Sequence, residues 1–209
     1  MKRHKKVILT GFFPFGDYKF NPTEEIVKYF NNKTITGHEH IYGIVLPCTY
    51  YGASEILSDF IDKINPNGII SLGLSSSVKS VRIETVFRNL MNGKYPDATG
   101  FMPEKLPLIR EDDAREFLPS FADNIFLADL IHSNKIPVEI SGDASAYICN
   151  SLGYLTSKKI IDEGLSIKNM FVHIPWTDDY TTRINLEPGK TFIGKDVVDS
   201  AIKLIVEHI

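Results

Sequence analysis

Cysteine is scarce: Cys48 and Cys149 are the only two in 209 residues. Two thiols cannot staple a disulfide framework, so a reducing, cytoplasmic location is expected. Metal-ligand patterns are missing too. The chain has no CxxC, no HExxH and no His/Cys cluster at ligand spacing, so neither a metal nor another cofactor is expected. The run Gly73-Leu74-Ser75-Ser76-Ser77 lacks the glycines and the Lys-Ser/Thr of a phosphate loop. Long apolar runs are absent. Val7 to Leu9, after the basic Met1-Lys2-Arg3-His4-Lys5-Lys6, is too short for a signal-peptide core, and no span reaches membrane length. An excess of positive charge is absent as well. The formal net charge is −3, with no basic block, which argues against a nucleic-acid partner.

What is present is ordinary for a soluble globular chain: 43% hydrophobic and 23% charged residues. That suffices for one domain over residues 1–209 with a substantial core. Apolar periodicity predicts strands at Lys6 to Phe12, Glu39 to Leu46, Gly68 to Leu74, Pro137 to Ser141 and Asn169 to His173. A strand or extended arm is expected from Val81 to Leu90. Helices are expected from a Thr23 cap through Phe30, and over Ala53 to Ile64, Ile125 to His132, the run from Cys149 to Gly164, and Lys195 to Glu207. Asn92 to Asp113 and Pro175 to Lys190 read as irregular, and stretches of that length are usually functional or mobile. Strands alternating with helices predict an α/β fold: a mostly parallel, twisted sheet with helices on both faces, a three-layer sandwich. Sites in such folds form outside the carboxyl ends of the strands.

The chemistry centres on Asp143-Ala144-Ser145-Ala146-Tyr147-Ile148-Cys149-Asn150. It reads as an entry into a helix, with Cys149 in the first turn and Asp143 or Ser145 as the cap. A thiol there feels the positive end of the helix dipole, which favours the thiolate. A thiol nucleophile needs a base, and the base needs an orienting group. Of six histidines, His4 and His208 lie near the termini, His38 and His40 open a strand, and His132 closes a helix. His173 instead ends an apolar strand just before Ile174-Pro175. Glu84, between Ile83 and Thr85, is a carboxylate in an apolar-rich strand, where its plain alternative is an edge charge paired with Arg82 or Arg88. Phe12, Phe13, Phe15, Tyr18 and Phe20 crowd one loop, either packing beneath it or lining an apolar pocket.

Four stretches together resemble the pyroglutamyl peptidase I family. They are Gly11-Phe12-Phe13-Pro14-Phe15-Gly16 with Asn21-Pro22-Thr23; Gly73-Leu74 with Glu84 and Asn89; Asp143-Ala144 with Tyr147-Ile148-Cys149-Asn150; and Val172-His173-Ile174-Pro175. Pro96, Asp97 and Gly100 also fall where the family has Pro-Asp-x-x-Gly. The resemblance implies a phosphorylase/hydrolase-like fold and a cysteine peptidase that removes N-terminal pyroglutamate from peptides through an acyl-enzyme. Cys149 would be the nucleophile, His173 the general base and acid, and Glu84 the orienting carboxylate. It further implies a substrate pocket built from Phe12, Phe15, Tyr147 and Ile148, with Lys94 and Tyr95 beside the substrate, and assembly as a homo-oligomer, a dimer or tetramer. The chain departs from the family pattern at Ser75-Ser76-Ser77-Val78, at Thr85 and Lys94 where arginines are usual, and at Ser145 where glycine is usual. Those departures define the alternatives: a related thiol amide or lactam hydrolase, or a non-catalytic binding protein on the same scaffold.

Overall fold

The structure is a computed structural model describing residues 5–35, 39–110, 115–185 and 191–209. His4 and His38, and the ends of the two irregular stretches at 111–113 and 186–190, lie outside the described residues.

The first strand, β1 (Lys5–Phe12), buries Val7, Ile8 and Leu9 completely. Both of its faces are covered, as its unbroken apolar run requires. α1 (Pro22–Phe30) follows, with proline in its first turn and Glu24 and Glu25 at its positive end. Its cap is Asn21, not Thr23: the Asn21 side chain accepts the Thr23 N–H at 3.1 Å. The Thr23 hydroxyl is occupied elsewhere, accepting the Phe12 N–H at 3.0 Å. Next come β2 (Thr34–Ile35), β3 (Glu39–Leu46), α2 (Gly52–Ile64) and β4 (Gly68–Leu74). The expected Val81 to Leu90 strand divides at Thr85 into β5 (Val81–Glu84) and β6 (Val86–Arg88), which belong to different sheets. The rest comprises β7 (Phe117–Pro119), α3 (Asn124–Ser133), β8 (Val138–Ser141), α4 (Ile148–Asp162), β9 (Lys168–Ile174), β10 (Trp176–Thr177), β11 (Phe192–Ile193) and α5 (Lys195–His208). The stretch after Pro175 is therefore not wholly irregular, since Trp176 and Thr177 pair with Phe192 and Ile193.

The main sheet has seven strands in the order β2-β3-β1-β4-β9-β5-β8. β3, β1, β4 and β9 are parallel; β2 is an antiparallel edge, and β5 runs antiparallel to β9 with β8 parallel to β5. The sheet is mixed, with a parallel centre. Alternation along the strands splits the core into two layers. Val7, Leu9, Ile70, Leu72 and Val172 face α1, α3 and α5. Ile8, Ile69 and Phe171 face α2 and α4. The chain leaves β1 for β3 on one side and then reaches β4 on the other, so strand order reverses at β1. That reversal opens a crevice at the carboxyl ends of β1 and β4.

Residues 92–110 fold back on their own chain. Met91 bridges Leu106, and the Asn89 side chain bonds both the N–H and the carbonyl of Ile109 at 2.9 Å. Asp97 pins the middle of this loop. Its carboxylate accepts N–H groups from Tyr50, Thr99 and Phe101 and the Thr99 hydroxyl. Burial pushes the Asp97 carboxyl up, but these hydrogen bonds outweigh it and hold the group below its ordinary value of 3.8. No helix among the described residues is long and apolar enough to cross a membrane.

Candidate active site

Three parallel strands deliver their carboxyl ends to one edge of the sheet. In register, Gly73 of β4 lies opposite His173 of β9. His173 shares a face with Phe171, so its ring points toward α4 and not toward α5. Its strand neighbour on the other side is β5, where Arg82 is opposite His173 and Glu84 is opposite Phe171. Glu84 is thus the diagonal neighbour of His173 on the same face, close enough for long side chains to meet. They do: His173 Nδ1 and Glu84 Oε1 are 2.8 Å apart. Glu84 is 0% exposed and His173 7%. The plain alternative for Glu84 does not hold, because Arg82 pairs with Glu139 and Arg88 with Asp143.

Cys149 arrives from the opposite layer. α4 starts at Ile148 with Tyr147 as its cap residue in extended conformation, and no side chain caps it. The expected Asp143 or Ser145 cap is absent because both groups serve the preceding turn: Asp143 Oδ1 accepts the Ser145 N–H at 2.9 Å. The opening N–H groups of α4 therefore have neither a side-chain cap nor an intrahelical acceptor. A point 2.9 Å from the Cys149 sulfur, where a Cβ on Gly73 would stand, is also 2.9 Å from His173 Cδ2. Sulfur and imidazole edge share one small space over a residue with no side chain. Because Nδ1 is engaged with Glu84, the ring edge bearing Nε2 is the free one.

The thiol itself departs from expectation. Burial pushes the Cys149 thiol above its ordinary value of 9.0, the nearby Cys48 and Glu84 push it further, and only its own backbone N–H favours the thiolate. The helix N-terminus does not outweigh desolvation, which disfavours the thiolate relative to a free thiol.

In front of the sulfur lies an apolar cleft with about 330 Å³ of empty space, part of it open to solvent, lined by Phe12, Phe15, Asn21, Cys48, Leu74, Tyr147, Ile148 and Cys149. Phe12, Phe15, Tyr147 and Ile148 were expected there. Lys94 and Tyr95 do not line it: both are exposed, and the Lys94 ammonium lies 5.6 Å from the Tyr95 ring centroid. Their loop instead reaches the site through backbone, the Pro96 carbonyl accepting the Tyr147 hydroxyl at 2.9 Å. The aromatic loop does both jobs foreseen for it. Phe12 and Phe15 line the cleft, while Tyr18 packs edge-on against Trp176 with centroids 5.2 Å apart. Sequence reasoning did not assign roles to Cys48, Leu74, Asn21 or Asn150. Asn150 is fully buried and bonds Arg88 N and the Arg88 and Leu90 carbonyls. Its signal was a polar residue beside Cys149 in the first turn of the helix.

The α/β fold and the match to a peptidase family define the class, a cysteine peptidase, and a thiol at a helix start beside a histidine backed by a buried glutamate suits that class. The comparisons name the branch. The pyroglutamyl peptidase family pattern matches residues 5–206. The pyrrolidone-carboxylate peptidase of Thermococcus litoralis is 35% identical over 177 residues, covering 84% of this chain and 78% of that protein. The Bacillus cereus pyrrolidone-carboxylate peptidase is 29% identical over 205 residues, covering 97% of this chain and 92% of that protein. Among solved structures, the Thermococcus litoralis pyrrolidone carboxyl peptidase superposes with a TM-score of 0.89 at 32% identity, covering 97% of this chain and 92% of that one. Pyroglutamyl peptidase I from Bacillus amyloliquefaciens gives 0.89 at 26% identity, covering 98% and 94%. The chain belongs to the pyroglutamyl peptidase family.

Proposed function

We propose that the protein removes N-terminal pyroglutamate from peptides with Cys149 as nucleophile, His173 as base and acid, and Glu84 as the orienting carboxylate. The observation that carries this reading is the 2.8 Å contact between buried Glu84 and His173 Nδ1, on the ring whose opposite edge shares space with the Cys149 sulfur. The Nδ1 proton lies toward Glu84, which leaves the Nε2 lone pair to accept the thiol proton. The thiolate attacks the pyroglutamyl carbonyl. Charge develops on its oxygen, within reach of the free N–H groups opening α4. The imidazolium then gives its proton to the departing amine, leaving a thioester on Cys149. Water, deprotonated by Nε2, attacks the thioester, releases pyroglutamate and restores the thiol. Glu84 Oε2 has no hydrogen-bond partner among the described residues, so the carboxylate charge gains most from an imidazolium forming beside it. The apolar cleft suits a compact, uncharged lactam ring.

The test is hydrolysis of a chromogenic pyroglutamyl amide, with the prolyl amide and a free lactam as controls. Wild type should prefer the pyroglutamyl amide, and Cys149→Ala should lose on the order of 10⁴-fold or more in kcat. Full turnover by Cys149→Ala would remove Cys149 as nucleophile, and indifference to all three substrates would sink the substrate assignment.

A further inference from the structure

Ser145 has a left-handed backbone, with φ at 65°, immediately before the nucleophile helix. Glycine takes this conformation freely, whereas a residue with a Cβ is strained in it. Two hydrogen bonds hold the turn: Asp143 Oδ1 accepts the Ser145 N–H at 2.9 Å, and Ser145 Oγ accepts the Tyr147 N–H at 3.4 Å. Asp143 is itself held from outside, its Oδ2 lying 3.3 Å from Arg88 Nη2. Arg88 also grips the far end of the same segment. Its N–H donates to Asn150 Oδ1 at 2.7 Å and its carbonyl accepts from Asn150 Nδ2 at 2.9 Å. One residue thus brackets Asp143 to Asn150, side chain at one end and backbone at the other, with Cys149 between. β6, which carries Arg88, continues from the Glu84 strand, so the brace ties the thiol segment to the His173–Glu84 side of the site.

We infer that Arg88 and Asp143 are positioning residues for hydrolysis, made necessary by Ser145. The ion pair keeps Asp143 where it caps the strained turn. The turn sets the direction of the N–H groups opening α4 and of the Cys149 sulfur. Glycine at 145 would need no such brace. Asp143 is exposed and Arg88 half-buried, with side chains 58% and 38% accessible. The pair therefore adds little to global stability, and its effect falls on site geometry. This inference rests on the proposed hydrolytic role of Cys149.

The test compares Arg88→Ala and Asp143→Ala in the native background and in Ser145→Gly, reading kcat and KM on the pyroglutamyl amide, the iodoacetamide alkylation rate of Cys149, and the melting temperature. In the native background each variant should lower kcat about tenfold, the scale of the strain released, with KM nearly unchanged. Melting should shift by less than about 2 °C. Added to Ser145→Gly, the same substitutions should cost less than about twofold in kcat. Equal losses in both backgrounds would overturn the inference, as would an effect confined to KM or no effect at all. If wild type cleaves no pyroglutamyl amide, the substrate assignment fails, yet the brace remains readable: Arg88→Ala must alter Cys149 alkylation and Ser145→Gly must cancel the change. Alkylation indifferent to both would overturn the brace.

Discussion

At the scale of single residues the site depends on what is missing at Gly73. A Cβ there would stand 2.8 Å from a Phe171 ring carbon and 2.9 Å from both the Cys149 sulfur and His173 Cδ2. Real side-chain atoms do not sit so close, so any other residue must push the thiol and the imidazole apart. Displacing reacting groups by even an ångström costs far more in rate than in stability. Gly73→Ala should therefore lower kcat/KM by about a hundredfold while the protein still folds cooperatively. Kinetics on the pyroglutamyl amide beside thermal melting decide it; a near-normal kcat/KM would show that the sulfur and ring tolerate separation. The same crowding pushes the thiol's pKa upward. The sulfur faces an apolar cleft and a second thiol, Cys48, and sits near the Glu84 charge, all of which favour the neutral form.

At the scale of elements, the helix that carries Cys149, α4, lies very close to β6. Gly153, one turn beyond Cys149, faces the Phe87 ring so closely that a Cβ would overlap it. Phe87 is fully buried, packs against Phe171 with centroids 6.5 Å apart, and has no room to withdraw. Gly153→Ala should destabilise the protein by about 1–3 kcal/mol through overpacking, despite alanine's better helix propensity. Denaturant unfolding reads this directly. Combining it with Phe87→Leu should return part of the loss, and strict additivity of the two costs would refute the clash. The loop at residues 92–110 acts on the site in a similar indirect way. Asp97 secures it to Tyr50, and Pro96 secures it to Tyr147.

At the scale of the whole molecule, buried titrating groups set the pH range of stability. Burial, reinforced by the Asp97 charge, pushes the Cys48 thiol from 9.0 to about 12. A raised pKa means that the folded protein holds the proton more tightly than the unfolded chain. Its stabilisation is complete below the unfolded value and is lost as pH rises from about 9 toward 12, at about 1.4 kcal/mol per pH unit. Asp97 acts with the opposite sign. Its lowered pKa gives stability that is present above 3.8 and lost as pH falls through the folded value. Chemical denaturation across pH should show both limbs. Cys48→Val should flatten the alkaline limb and Asp97→Asn the acid one; an unchanged alkaline slope in Cys48→Val would mean that Cys48 does not couple to folding.

Much of this protein was legible in its residues one neighbourhood at a time. Gly68 to Leu74 is a strand with the expected bounds because continuous burial is a local signal, and Glu39 to Leu46 keeps its bounds because Pro47 closes it. Cys149 lies in the first turn of a helix, as the local pattern predicts, and Phe12, Phe15, Tyr147 and Ile148 line the cleft beside it, as the resemblance to the pyroglutamyl peptidase I family implies. Other features depended on residues far apart in the chain. Nothing near Thr85 says that the strand should break there, or that β5 should run against β9; pairing direction is settled by the partner strand. That direction makes Glu84 a diagonal neighbour of His173 rather than a partner of Arg82 or Arg88. Caps also went to whichever group the fold left free, Asn21 rather than Thr23, and none at α4. The upward push on the Cys149 thiol was the least legible of all. A helix N-terminus is visible in a dozen residues, whereas desolvation sums over Phe12, Cys48, Leu74 and every other side chain that closes around the sulfur. The sequence by itself determined most of the elements and which side chains are candidates for the chemistry; the tertiary structure alone decided who faces whom and how much of the thiol's surroundings is apolar, because contact and burial are properties of segments brought together by folding.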